Sequence, residues 1–223
     1  YYMMKSSNNV FTYLGLLIAL FGITLSTYLL KGATFFGSSY LAQVIFSDLK
    51  KWILVFIIVL IIRLLEKRKF QSNGIKGINL KVILSGIIFG LIAVVVSILT
   101  LGLLFNILGL KEPSTLGAIN ELPIYIKLFT ITTAAITEEI FYRGYAIERL
   151  GEITGNYIFG GILSGIVFLA IHFPAWGLAG AVPQIIFTIF LTVFYLKKRD
   201  LISTILMHWT INFLMIIVLP NFM

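Results

Sequence analysis

The chain has 223 residues, 59% of them hydrophobic and 12% charged, with a formal net charge of +8 and no cysteine. A soluble domain carries about 25% charged residues. This composition, with a mean hydropathy of +1.03, therefore excludes a soluble enzyme and a nucleic-acid-binding module. It predicts an all-α, polytopic transmembrane bundle, in which the cations mark cytoplasmic loops and contacts with the anionic headgroups of the lipid bilayer. Without cysteine there are no disulfides, thiolate nucleophiles or Cys-based metal sites.

At about 20 residues per crossing, the length suits about seven spans, with six to eight compatible, in a single transmembrane domain over 1–223. The apolar runs fall at 10–30, 40–65, 79–108, 122–148, 156–173, 180–196 and 201–219. The first run, Val10 to Leu30, has no small-residue cleavage site and reads as a retained helix rather than a cleavable signal peptide. The second begins with polar residues, and Asp48, Lys50 and Lys51 are expected at its outer end. Between the second and third runs lies the densest basic cluster: Arg63, Lys67, Arg68, Lys69, Lys76 and Lys81. The positive-inside rule puts it in the cytoplasm. Seven spans then bring Lys197, Lys198 and Arg199 to the same side, predicting a multi-pass protein of the cell membrane with a cytoplasmic N-terminus and an external C-terminus.

The run at 79–108 is long enough to tilt or break. The segment 171–180, with Pro174, Trp176, Gly177 and Gly180, reads as a turn. ILSGI occurs at 83–87 and again at 162–166 with no extended similarity around it. Its serine and glycine are read as helix-packing residues rather than as a repeat.

The fourth run contains TEEIFYR at 137–143. It puts Glu138, Glu139 and Arg143 well inside the hydrocarbon, where ionisable groups are costly and face the protein interior. Glu139 and Arg143 are four residues apart, share a helical face and can pair. Glu138 points about 100° away and gains no cation from its own helix. A structural ion pair explains Glu139 and Arg143 and leaves Glu138 available as a general base.

His172 and His208 are the only histidines. FLAIH (168–172) and HWTIN (208–212) each place two residues on one helical face, Phe168 with His172 and His208 with Asn212. Taken singly, a histidine near a helix end is usually a packing or interface residue. Together, three segments carry polar groups that a bundle can bring around one cavity. A carboxylate, an imidazole and an oxyanion donor are the groups that acid–base chemistry on water requires. No HExxH motif is present, both aspartates (Asp48 and Asp200) neighbour lysines near span ends, and no GxSG motif occurs. Zincin-like, aspartyl and rhomboid-like mechanisms are therefore disfavoured.

On EEIFYR (138–143), FLAIH (168–172) and HWTIN (208–212) the chain resembles the CPBP family of intramembrane proteases, also called the Abi or CAAX-protease family. That family carries EExxxR, FxxxH and HxxxN in this order on separate helices. The resemblance covers roughly 122–219 and does not extend to the first three spans. It implies a catalytic Glu138, His172 as its partner in activating water, His208 and Asn212 as oxyanion donors, and Glu139 with Arg143 as a supporting pair. It also implies a membrane-associated peptide or protein substrate and, with the Ile/Lys/Asn-rich composition, a bacterial member. No cofactor is favoured. A zinc-dependent version, with Glu138, His172 and His208 as ligands, is the alternative. Rival readings are a non-proteolytic membrane scaffold or bacteriocin-immunity protein with the same fold, and a small transporter relaying protons.

One expectation runs against convergence. Straight helices, at about 1.5 Å of depth per residue, put Glu138 near mid-membrane, His208 in the inner half and His172 toward the outer side. Helix tilt or a re-entrant stretch near Pro174 has to close the gap.

Overall fold

The computed structural model describes residues 7–30, 39–108, 119 and 121–221, with the side chains at 7–9, 104–106, 108 and 175–179 excepted. The Trp176 side chain named above therefore lies outside the described residues. The described chain is helical: α1 (Ser7–Leu29), α2 (Tyr40–Leu60), α3 (Leu80–Leu108), α4 (Ile124–Glu138), α5 (Glu148–Thr154), α6 (Tyr157–Lys198) and α7 (Leu201–Phe213). Three π-helical stretches extend them: Ile61–Leu65 after α2, Glu139–Ile147 joining α4 to α5, and Leu214–Val218 after α7. Five segments are long and apolar enough to cross a membrane: Val10–Leu29, Leu80–Leu103, Tyr157–Pro174, Gly180–Lys198 and Leu201–Asn221. Their outward faces are apolar, with Leu17, Phe21, Leu84, Val95, Ile162 and Ile189 exposed. A lipid-facing helix has this pattern, whereas one facing water carries polar residues there. The protein is an all-α membrane bundle.

α6 is 42 residues long, about 63 Å if straight and twice the hydrocarbon thickness. It is not straight. A Cβ on Gly161 would lie 2.9 Å from Leu196 Cδ1 and 3.1 Å from Thr192 Cγ2, and one on Gly165 would lie 3.4 Å from Thr188 Cγ2. The two arms thus lie antiparallel, and the chain reverses between Gly165 and Thr188, around Pro174 and Pro183. The reversal expected at 171–180 is present, but the backbone keeps a helical pattern through it instead of forming an open turn.

Both copies of ILSGI serve packing. In the second, Gly165 faces the other arm of α6, and the Ser164 hydroxyl donates to the Tyr142 carbonyl at 2.7 Å. In the first, Gly86 forms a small-xxx-small pair against α7 with Gly90, which lies just beyond the motif. A Cβ on Gly86 would lie 2.6 Å from the Ser203 carbonyl oxygen, and one on Gly90 would lie 2.8 Å from Thr210 Cβ. The obstacle at Gly86 is backbone and cannot swing aside. Gly86→Ala is expected to destabilise the bundle by about 1–3 kcal/mol, measured by unfolding in detergent. An unchanged stability would mean that α3 does not sit this close to α7.

One end of the bundle is tied by ion pairs, of which Arg149–Glu66 is fully buried. Glu66 accepts from Thr12 Oγ1 (3.0 Å), Tyr145 OH (2.8 Å) and Arg149 Nη2 (2.8 Å). Arg149 also reaches Ser72 Oγ at 3.0 Å, and Arg68 pairs with Glu152 at 2.6 Å. Glu148 accepts from Tyr195 OH at 2.6 Å and pairs with Arg199, which covers the Tyr157 ring. Gly74, in the left-handed region at φ 78°, lets the chain turn beside Tyr195 and receive the Leu201 amide on its carbonyl at 2.8 Å. Lys76 Nζ meets the Lys198 carbonyl at 2.7 Å. Both basic clusters therefore share this end.

The two hydrophobic cores divide the rest. One contains Leu16, Ile58, Phe141, Tyr142, Tyr145, Phe168 and Leu201. The other joins Val94 of α3, Leu191 of α6 and Met207 of α7. The polar side chains of interest lie within the first.

Candidate active site

The sequence EEIFYR begins at the last residue of α4 and enters the π-helical stretch, all nine residues of which are buried. π-helical turns recur at functional sites. The two carboxylates take different partners, as their angular separation requires. Glu139, fully buried, accepts from Arg143 Nη1 at 2.8 Å and from His208 Nδ1 at 2.7 Å, both on Oε1. The expected Glu139–Arg143 pair is thus present, and it also reaches across to α7. Arg143 lies over the Phe168 ring at 4.6 Å, which ties the pair to α6.

Glu138 faces α2 and α6. Its Oε1 lies 2.9 Å from Lys51 Nζ, and its Oε2 lies 3.8 Å from His172 Nε2. It is also within Coulombic range of His208 and of the Tyr142 side chain. The carboxylate that has no cation on its own helix takes one from α2.

The partners of the ring nitrogens set the histidine tautomers. His172 Nδ1 is 2.7 Å from the Phe168 carbonyl oxygen, which can only accept, so Nδ1 carries the proton. In the neutral ring Nε2 then has the free lone pair, and Nε2 is the atom that faces Glu138. Phe168 packs against the ring, tilted by 38° with centroids 4.2 Å apart, which gives FxxxH its physical content: one residue supplies both the carbonyl and the packing surface. His208 is oriented in the same way by the Glu139 carboxylate, leaving its Nε2 free. Asn212, half-buried one turn further along α7, has no hydrogen-bond partner among the described residues. Trp209, beside His208, donates to Thr132 Oγ1 at 3.0 Å and fixes α7 against α4.

For His208 the depth conflict resolves through the register of α7. A Cβ on Gly144 would lie 3.0 Å from Leu201 Cδ2, so the first residue of α7 sits level with Gly144. The π-helical stretch and α5 run on past that level. Glu139, five residues above Gly144, and His208, seven above Leu201, then meet at nearly the same depth.

Two residues of the cluster escaped sequence reasoning. Asp48 and Lys51 are not at an outer end. Asp48 is buried, accepts from Thr130 Oγ1 at 2.7 Å and lies 4.0 Å from Lys51 Nζ. The legible signal was their i, i+3 spacing within an apolar run, which puts both on one helical face. Lys50 points the other way, toward Thr27 Oγ1 at 3.3 Å.

Three buried polar atoms beside these groups have no hydrogen-bond partner among the described residues: Glu139 Oε2, Arg143 Nη2 and Tyr142 OH. Buried polar groups are nearly always satisfied by protein or water. The cluster therefore has hydrogen-bonding capacity to spare for a polar occupant. Among the described residues no three His, Asp or Glu side chains are grouped to hold a metal ion.

Residues 120–214 match the family model described as "Type II CAAX prenyl endopeptidase Rce1-like". That segment contains all three motifs. No curated protein and no solved structure matches the chain.

Proposed function

We propose, from the match of residues 120–214 to the Rce1-like type II CAAX prenyl endopeptidase model, that this multi-pass membrane protein is a protease that cleaves a peptide bond by attack of a water activated at Glu138 and His172. The substrate class follows from the family: a membrane-associated peptide or protein. The observation that carries the mechanism is the facing pair of Glu138 Oε2 and His172 Nε2, 3.8 Å apart, both acceptors and neither otherwise engaged. A water seated beside the pair and bridging both atoms donates one proton to each, which aims its lone pair at a carbonyl carbon.

The steps balance without a covalent enzyme intermediate. Glu138 takes a proton from the water, and the hydroxide adds to the carbonyl. The tetrahedral oxyanion is held by His208 and Asn212. With Nδ1–H committed to Glu139, His208 can donate from Nε2 only as the imidazolium, a charge that the oxyanion balances. The Asn212 amide donates in any case. As the C–N bond breaks, Glu138 returns the proton to the leaving nitrogen, giving an amine and a carboxylic acid, whose remaining proton passes to the amine or to solvent. Glu139 and Arg143 act through His208 as its support.

Zinc fits these residues poorly. Lys51 Nζ, a cation, already occupies Glu138 Oε1 at 2.9 Å, where a zinc ion would face charge repulsion. We also place the end carrying both basic clusters in the cytoplasm. Seven crossings then put the N-terminus inside and the His172 end of α6 toward the outside, within one transmembrane domain.

The test is cleavage of an internally quenched, lipid-anchored peptide by the purified protein in ¹⁸O-labelled water. One ¹⁸O is expected in the new carboxylate after a single turnover, with activity unchanged by a strong chelator. Trapping of an acyl-enzyme, or loss of activity on chelation and its return with zinc, would overturn the mechanism. Absence of any cleavage, with biological activity kept when Glu138 is replaced, would favour the scaffold instead.

A further inference from the structure

Lys51 lies outside the family match and outside all three motifs, yet it is the closest charged group to the proposed base. We infer that Lys51 is a positioning residue for Glu138: it holds Oε1 so that Oε2 is presented to His172. This inference rests on the protease reading above.

The geometry carries it in three steps. First, a carboxylate has two equivalent oxygens and turns freely about its last torsion unless one is held. Lys51 Nζ holds Oε1 at 2.9 Å, and the other oxygen is the one facing His172 Nε2. Second, the ammonium is itself steered. Asp48 Oδ1 lies 4.0 Å from Nζ, and Asp48 Oδ2 is fixed by Thr130 Oγ1 at 2.7 Å. Third, the stretch of α2 that carries Lys51 is pinned to α4 on both sides. Asp48–Thr130 ties it one turn before Lys51, and Trp52 Nε1 donates to Thr133 Oγ1 at 3.1 Å just after. The Thr133 carbonyl in turn accepts from Thr137 Oγ1, next to Glu138.

A merely structural counter-ion needs none of this aim. In low-dielectric surroundings it suffices for a cation to lie near an anion. Here the cation comes from a different helix, contacts one oxygen only, and leaves the reactive oxygen clear. Lys51 Nζ contacts Oε1, so the ammonium lies on the side of the carboxylate away from the gap between Oε2 and His172.

The experiment uses the full chain in detergent with the lipid-anchored quenched peptide, comparing parent, Glu138→Gln, Lys51→Met, Lys51→Gln and Lys51→Arg. A loosened base is expected to cost about 100-fold in kcat for Lys51→Met, with KM within about threefold of the parent, since uniform binding is untouched. Lys51→Arg, which keeps a cationic donor, is expected to recover most of the rate. Should Lys51→Met fail to fold, Lys51→Gln carries the same split of kcat from KM.

A readout independent of turnover accompanies it. The infrared carboxylate stretch assigned to Glu138 by its loss in Glu138→Gln is expected to move in Lys51→Met and to stay in Lys51→Arg. Parent-like kcat with an unmoved band overturns the inference while leaving the protease reading intact. So does an equal loss in Lys51→Met and Lys51→Arg through a raised KM. Undiminished cleavage by Glu138→Gln would instead overturn the protease reading itself.

Discussion

Glu138→Gln is expected to lower kcat for peptide cleavage by about 10²- to 10⁴-fold, the usual contribution of a positioned general base, while KM and the folded population stay near those of the parent. Glutamine has the shape of the carboxylate and can still accept from Lys51 Nζ, now at Oε1 (2.9 Å in the parent). What it lacks is the ability to take up a proton from water. Glu139→Gln separates the roles. It touches Arg143 and His208 but not the proposed water site, so its loss is expected in the stability of the bundle as well as in kcat. Equal cleavage by parent and Glu138→Gln would remove Glu138 from the chemistry, whatever its surroundings. The measurement is initial rates with the quenched peptide, normalised to the folded fraction.

The largest expected effect on stability lies at the other end of the bundle. Arg149→Met is expected to destabilise the protein by about 3–5 kcal/mol, because breaking a buried pair strands the remaining charge. Arg149 and Glu66 are both buried, and two other elements lean on Glu66, α1 through Thr12 and the π-helical stretch through Tyr145. The double change Glu66→Gln with Arg149→Met removes both charges and is expected to cost clearly less than Arg149→Met alone. Unfolding in detergent, followed by circular dichroism, measures both. Because this network is separate from the Glu138 cluster, kcat per folded molecule is expected to hold. A parent-like midpoint for Arg149→Met would mean that water, not Arg149, satisfies Glu66.

The helical class, the apolar runs and the three polar motifs are local properties, and the sequence by itself determined them. Hydropathy must repeat over about 20 residues for each helix that meets lipid, so α1, α3, both arms of α6 and α7 were all legible. The i, i+4 spacings EExxxR, FxxxH and HxxxN likewise place each pair on one face before any fold is known.

The tertiary structure alone decided which faces meet and at what depth. Periodicity says nothing about register between helices. The close approach of Gly144 to Leu201 therefore had to be seen before His208 and Glu139 could be level. Nor does it say which way a charged stretch near the start of a run is turned. Asp48, Lys50 and Lys51 look alike as a polar patch, yet the 100° step between neighbours sends Lys50 toward Thr27 and Lys51 to Glu138. The partner of the buried carboxylate is 87 residues away in the chain, a distance at which only packing, and no local rule, selects the cation.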